Sequence, residues 1–162
     1  MGCGAEAATA AELEQALRAG FAPQRMVFDS PAKTVEKLHR AITCGVHINA
    51  DSLQELDRIA TLVKDGLQPT SIGARVNPKV GAGEIEATST AVPGSKFGVS
   101  LRDNSVELRD RFKRYPWLTG LHVHVGSQGC DVELLTEGWV PHPCAARVGH
   151  LTPCADSAAL PR

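Results

Sequence analysis

The sequence predicts an α/β fold, a partial (β/α)8 TIM barrel of about five βα units, on three observations. Short apolar runs alternate with amphipathic helical segments at intervals of roughly 20 to 25 residues, a rhythm that calls for parallel strands joined by right-handed helical crossovers. A doubly wound open sheet shares this rhythm but usually carries G-x-G-x-x-G after a strand, and Gly2-Cys-Gly4 is only a truncated echo of it. A full barrel takes about 250 residues. This chain has 162, and its rhythm stops after Gly138.

Residues 3–8 begin a strand-like segment, and Thr9 caps the helix that follows. In that helix Leu13, Ala16 and Leu17 recur at helical spacing, Glu12 completes a capping box, and Gly20 ends the run. Pro23 breaks the chain, Met26-Val-Phe-Asp29 reads as a buried strand, and Ser30-Pro31 opens a second helix through Val35, Leu38 and Ile42 to a stop at Gly45. Val46-His-Ile-Asn49 is a third strand. Asp51 or Ser52 caps a helix whose stripe is Leu53, Leu56, Ile59, Ala60 and Val63, ending at Gly66. Ser71-Ile-Gly-Ala-Arg-Val-Asn77 is a fourth strand, stopped by Pro78.

From Lys79 to Thr90 the sequence loosens into a Gly-rich polar insertion, too long for an ordinary βα connection and a candidate active-site loop, which Ser95-Lys-Phe-Gly98 closes. Residues 103–114 form a charged helix with Val106, Leu108 and Phe112 inward, and Pro116 ends it. In the strand Leu121-His-Val-His-Val-Gly-Ser-Gln128, alternation puts His122 and His124 on one face and Leu121, Val123 and Val125 on the other. Gly126 and Ser127 then form a small-residue turn suited to an anion. Taken alone, the octapeptide fits a core strand with satisfied histidines equally well.

A helix starts at Asp131-Val-Glu-Leu-Leu135 and is abandoned at Trp139, where Pro141, Pro143, Pro153 and Pro161 punctuate a stretch without periodicity. The expected division is therefore a partial barrel domain over 1–138 and a disordered tail over 139–162, one that a shifted reading frame would explain.

A net charge of −1 gives no sign of a nucleic-acid partner, and no apolar run approaches the roughly 20 residues of a membrane span. The N-terminus lacks the basic-then-apolar order of a secretion signal, so cytoplasm is the default location. Five scattered cysteines without a C-x-x-C pair read as free thiols. Cys144, His150 and Cys154 match no standard zinc spacing, and no metal is expected.

Five motifs occur in order: Gly4-Ala-Glu-Ala7; Asn49-Ala-Asp-Ser52 with Glu55-Leu56; Ala74-Arg-Val-Asn-Pro78; Ser95-Lys-Phe-Gly98; and His122-x-His-Val-Gly-Ser-Gln128. Over residues 2–138 the chain resembles the barrel domain of the pyridoxal-phosphate-dependent decarboxylases of the diaminopimelate, ornithine and arginine group, with their alanine-racemase-like fold. The H-x-H-V-G-S-Q form is most like the diaminopimelate branch. The resemblance implies pyridoxal 5′-phosphate as cofactor, a small L- or meso-amino acid as substrate, α-decarboxylation via an external aldimine, and a homodimeric parent.

The resemblance also gives His124 the role of stacking on the cofactor ring and aligns Ser127 with the serine that bonds its phosphate. Glu6 and Glu12 match acidic positions near the cofactor, although Glu12 reads equally as a first-turn helix residue. Arg75 matches an arginine of the barrel interior, where a buried guanidinium needs a carboxylate partner, Glu6 being one possibility. Lys96 reads equally as a solvated loop charge, and His47 and His122 read as structural.

The family's Schiff-base lysine stands on the barrel strand before the one with which this chain begins. No lysine precedes Lys33, which lies on the next unit and is no substitute. The later phosphate loop, the acid that partners the pyridine nitrogen and the β-rich second domain have no counterpart either. The expectation is an enzyme fragment that is inactive as this chain. The alternative, from another class, is a non-catalytic regulatory protein that keeps part of the barrel for association.

Overall fold

A computed structural model of the chain describes residues 3–81, 90–92, 94–126, 132, 133 and 136. The elements run β1 (Ala5–Ala7), α1 (Ala10–Arg18), a 3-10 turn (Pro23–Arg25), β2 (Met26–Phe28), α2 (Val35–Cys44), β3 (His47–Ala50), α3 (Leu53–Lys64), β4 (Ile72–Asn77), β5 (Val99–Ser100), α4 (Leu101–Arg114) and β6 (Leu118–Val123). All strand pairs are parallel. β1, β2, β3, β4 and β6 are neighbours in that order, each joined to the next through a helix, so they form a five-stranded arc of a (β/α)8 barrel. The two-residue β5 pairs with Val76 and Asn77 at the end of β4 and is an addition to that arc.

The helices begin where side chains can take up their free N–H groups. The Thr9 hydroxyl accepts from the Glu12 amide, and the Glu12 carboxylate accepts from the amides of Ala8 and Thr9, completing the capping box. Thr34, Ser52 and Ser100 cap α2, α3 and α4 in the same way. α2 thus starts at Val35 and not at Ser30-Pro31. The turn over residues 30–33 folds the Lys33 side chain inward, where its ammonium donates to the carbonyls of Ser30 and Asn49, and helix geometry begins only after it.

Two further expectations are corrected. α4 starts at Leu101, kinks at Asn104, and leaves Val106 58% exposed while Leu108 is buried. Residues two apart on a helix point in nearly opposite directions, so Leu108 and Phe112 share the inward face and Val106 cannot. β6 begins three residues before Leu121 and ends at Val123, with a bulge: Ile72 pairs with Leu118 but Gly73 pairs with Gly120, so Thr119 is the extra residue.

The core lies between sheet and helices. Ala7, Met26, Phe28, Ile48, Ala50, Ile72, Ala74 and Val76 face Leu13, Leu38, Ile42, Leu56, Ile59 and Leu108, all buried. Among the described residues no helix is long and apolar enough to cross a membrane. The boundary expected at 138, the tail over 139–162, the cysteines and histidine considered for metal, and most of the Gly-rich insertion lie outside the described residues.

Candidate functional site

Because the strands give their apolar side chains to the helices, the alternate positions face the other way, and those positions are polar. β1 contributes Glu6. The chain leaving β2 contributes Asp29, β3 gives His47 and Asn49 with Asp51 just beyond, and β4 gives Gly73, Arg75 and Asn77. On β6 the bulge sets the phase. Leu118 packs in the core, and if Thr119 were paired as an ordinary strand residue, alternation would turn His122 toward the helices as well. With the bulge, His122 pairs with Arg75 on this inner face, and His124 follows.

The inner face carries buried charge. Arg75 Nη1 lies 3.4 Å from Asp51 Oδ1, and the guanidinium sits 5.1 Å from the centre of the Phe97 ring. The partner of Arg75 is therefore Asp51, not Glu6. Asp51 stands just past the end of β3, next to the strand β4 that carries Arg75, whereas Glu6 is exposed on β1. The Gly98 amide also bonds Asp51, and Gly98 adopts a φ of +73° where an added Cβ would stand 3.1 Å from Val76 C and 3.2 Å from Asn77 N, a position only glycine fills without strain.

Lys33 Nζ is 2.7 Å from Glu55 Oε1, with both side chains almost wholly buried. His122 Nδ1 is 3.4 Å from Asp29 Oδ1. Burial pushes the carboxyls of Asp51 and Glu55 above their ordinary range, against the pull of the Gly98 amide and Arg75 in one case and of Lys33 in the other. Burial likewise holds the His122 imidazole below its ordinary value, opposed by Asp29.

Among the described residues, the buried charged side chains are three acids, Asp29, Asp51 and Glu55, and two permanent cations, Lys33 and Arg75. Asp29 Oδ1 and His122 Nδ1, facing each other, and Asp51 Oδ1, facing Arg75, are buried without a regular hydrogen bond, each held by its ionic neighbour at 3.4 Å.

Of the residues singled out from sequence, His124 and Arg75 come to this face together with Glu6. His124 sits just after β6 with its ring centre 6.4 Å from that of His122, and its carbonyl accepts from the Thr90 hydroxyl. Thr90 also donates its amide to Val125 and offers its carbonyl to Asn77, so the end of the Gly-rich insertion ties the β6 exit to β4. Ser127 lies outside the described residues. Glu12 is occupied in its capping box. Lys96 is exposed, with Nζ 5.4 Å from the Phe97 ring centre.

His47 is structural as expected, with Nδ1 2.8 Å from Ser71 Oγ and Nε2 2.9 Å from Asn49 Oδ1. His122, also read as structural, differs from His47 in facing Asp29 at 3.4 Å without a regular hydrogen bond. Lys33 is no free nucleophile, being an ammonium held by a carboxylate and two carbonyls. Sequence reasoning gives no site role to Asp29, Asp51 or Glu55, although Asp51 and Glu55 stand in one of its five motifs. For the two aspartates a further signal is the alternation of apolar with polar residues at the C-terminal ends of the strands, where barrel enzymes place their sites.

The residues present fit part of a pyridoxal phosphate site. An imidazole at the strand end suits the face of a pyridine ring, and a fixed guanidinium suits polar substituents. A family model described as "Pyridoxal-dependent decarboxylase, pyridoxal binding domain" matches residues 1–140. The chain is similar to a probable chloroplastic diaminopimelate decarboxylase of Oryza sativa subsp. japonica, 34% identical over 141 residues, covering 85% of this chain and 28% of that protein. It is also similar to the diaminopimelate decarboxylase of Methanothermobacter thermautotrophicus, 36% identical over 132 residues, with 82% and 30% covered. Among solved structures, the Helicobacter pylori diaminopimelate decarboxylase complexed with L-lysine superposes with a TM-score of 0.73 at 30% identity, over 83% of this chain and 35% of that one. The chain thus spans about a third of the length of these relatives.

Proposed function

The chain belongs to the pyridoxal-dependent decarboxylases, as part of their pyridoxal-binding domain, and on that premise we propose that it is the five-strand arc of the cofactor barrel of an amino-acid α-decarboxylase acting on diaminopimelate. The observation that carries the reading is the polar inner face, where His124, Arg75 and Asp51 stand on or beside neighbouring strands around buried oxygens with no regular hydrogen bond. In this reading His124 lies against the cofactor ring and fixes its plane, Ser127 bonds the phosphate, and Glu6 and Arg75 border the cofactor. What pyridoxal phosphate supplies when bound is an electron sink for the pair left on the α-carbon as carbon dioxide departs. Arg75, held by Asp51 and covered by Phe97, keeps a fixed positive charge at the mouth of the face and shields it from water. A homodimeric parent and a cytoplasmic location belong to the same proposal.

The 162-residue polypeptide by itself is proposed to be inactive, because no lysine precedes Lys33 and Lys33 is tied to Glu55. Incubation with pyridoxal phosphate, borohydride reduction and peptide mapping should yield no stoichiometric pyridoxyl-lysine, and no carbon dioxide should be released from diaminopimelate. A single fully labelled lysine with turnover would overturn that part. For the activity itself, residues 2–138 are exchanged into the Methanothermobacter relative. The chimera should decarboxylate diaminopimelate, and His124→Ala should lower turnover more than it lowers the melting temperature. A folded chimera that binds the cofactor and releases no carbon dioxide sinks the reading.

A further inference from the structure

Two inward histidines on this sheet differ in how they are held. His47 has a partner within 2.9 Å at each ring nitrogen, the arrangement of an imidazole that fills and fixes a core. His122 has one polar neighbour at its Nδ1, the Asp29 carboxylate at 3.4 Å, and both atoms are buried without a regular hydrogen bond. A carboxylate facing one ring nitrogen selects the tautomer that carries a proton there and leaves the other nitrogen as the acceptor. We propose that Asp29 and His122 form an acid–base pair on the inner face: Asp29 fixes the Nδ1–H tautomer of His122, so that Nε2 serves as a proton acceptor beside His124.

The charges around the pair suit this role. Glu6 from β1, Arg75 from β4 and His124 from its own segment face His122 together with Asp29, and Asp51 at the end of β3 pairs with Arg75. Among the described residues the buried set holds three carboxylates against two permanent cations, so a proton taken up on Nε2 adds a positive charge beside an excess of acids. Burial opposes that uptake, which keeps the ring neutral and available as a base in ordinary conditions.

The use of the pair rests on the decarboxylase reading. An amino acid arrives with its nitrogen as an ammonium, and the nitrogen must lose a proton before it can attack a carbonyl. Nε2 takes that proton, giving an imidazolium balanced by Asp29, and later returns it to solvent or product. Asp29 is in this scheme a positioning residue.

The pair is tested on the 162-residue chain, without cofactor or substrate, by long-range 1H–15N spectra of the histidine rings across pH, with His122→Gln identifying the His122 signals. The neutral ring should carry its proton on Nδ1. In Asp29→Asn the single tautomer should give way to a mixture, because an amide can face Nδ1 as donor or acceptor, and the titration midpoint should move down as the facing charge is lost. A neutral His122 protonated on Nε2, or a midpoint and tautomer unchanged in Asp29→Asn, overturns the proposal. Should Asp29→Asn fail to fold, the wild-type tautomer decides alone. These spectra do not depend on decarboxylation, so an inactive chimera and a failed pair give separate results.

Discussion

At the scale of single residues, the inner face is held by groups that lose much when one partner is removed. Breaking a buried ion pair from one side typically costs about 3–5 kcal/mol, whereas replacing both members with apolar groups is often near neutral. Lys33→Met and Glu55→Leu should each strongly destabilise the chain in denaturant unfolding, and the double variant should recover most of the loss. The pH dependence has a sign set by His122. Its folded pKa is lowered, so its contribution to stability is fully present above the ordinary imidazole value of about 6.5 and is lost as pH falls through the folded value. The raised carboxyls of Asp51 and Glu55 act oppositely: their contribution is full below the ordinary carboxylate range and is lost as pH rises through their folded values. On acidification below about 6.5 the denaturation midpoint of the wild-type chain should therefore fall relative to that of His122→Gln. The sequence showed that Arg75 needs an acid. It did not show which one, because Asp51 reaches Arg75 through strand register and not through spacing along the chain.

At the scale of elements, caps and periodicity were legible because they are local. Thr9 with Glu12 was read as a capping box and is one; Thr9→Ala should cost about 1 kcal/mol, seen as a lower melting temperature with an unchanged fold. The start of α2 was misread because Ser30-Pro31 has a good N-terminal signature, while the reason that the helix waits until Val35 is a contact between Lys33 and Glu55, 22 positions further on. The bulge in β6 was invisible for the same reason, since it exists only against β4. Deleting Thr119 removes only the extra residue and leaves Leu118 and Gly120 consecutive against Ile72 and Gly73, so Leu121 and Val123 keep facing the helices and His122 the inner face. The expected result is a chain that keeps cooperative unfolding, measured by circular dichroism on heating.

At the scale of the whole molecule, five parallel strands leave β1 paired only with β2 and β6 only with β4 among the described residues. Open parallel edges recruit other strands, so the 162-residue polypeptide should self-associate in light scattering, and a monodisperse monomer with a sharp melting transition would count against it. The fold class was legible because the rhythm of strand and helix is carried by apolar residues that serve only the outer layer. Those residues and the polar ones alternate along the same strands yet answer to separate demands: volume and shape toward the helices, charge and proton balance toward the barrel axis. Descendants of such a sheet are therefore free to rewrite their chemistry one alternate position at a time, and a lineage that had lost its reaction would betray it first in drift at Asp29, Asp51, Arg75 and His122, while Ile48, Ile72 and Val76 still spelled the ancestral barrel.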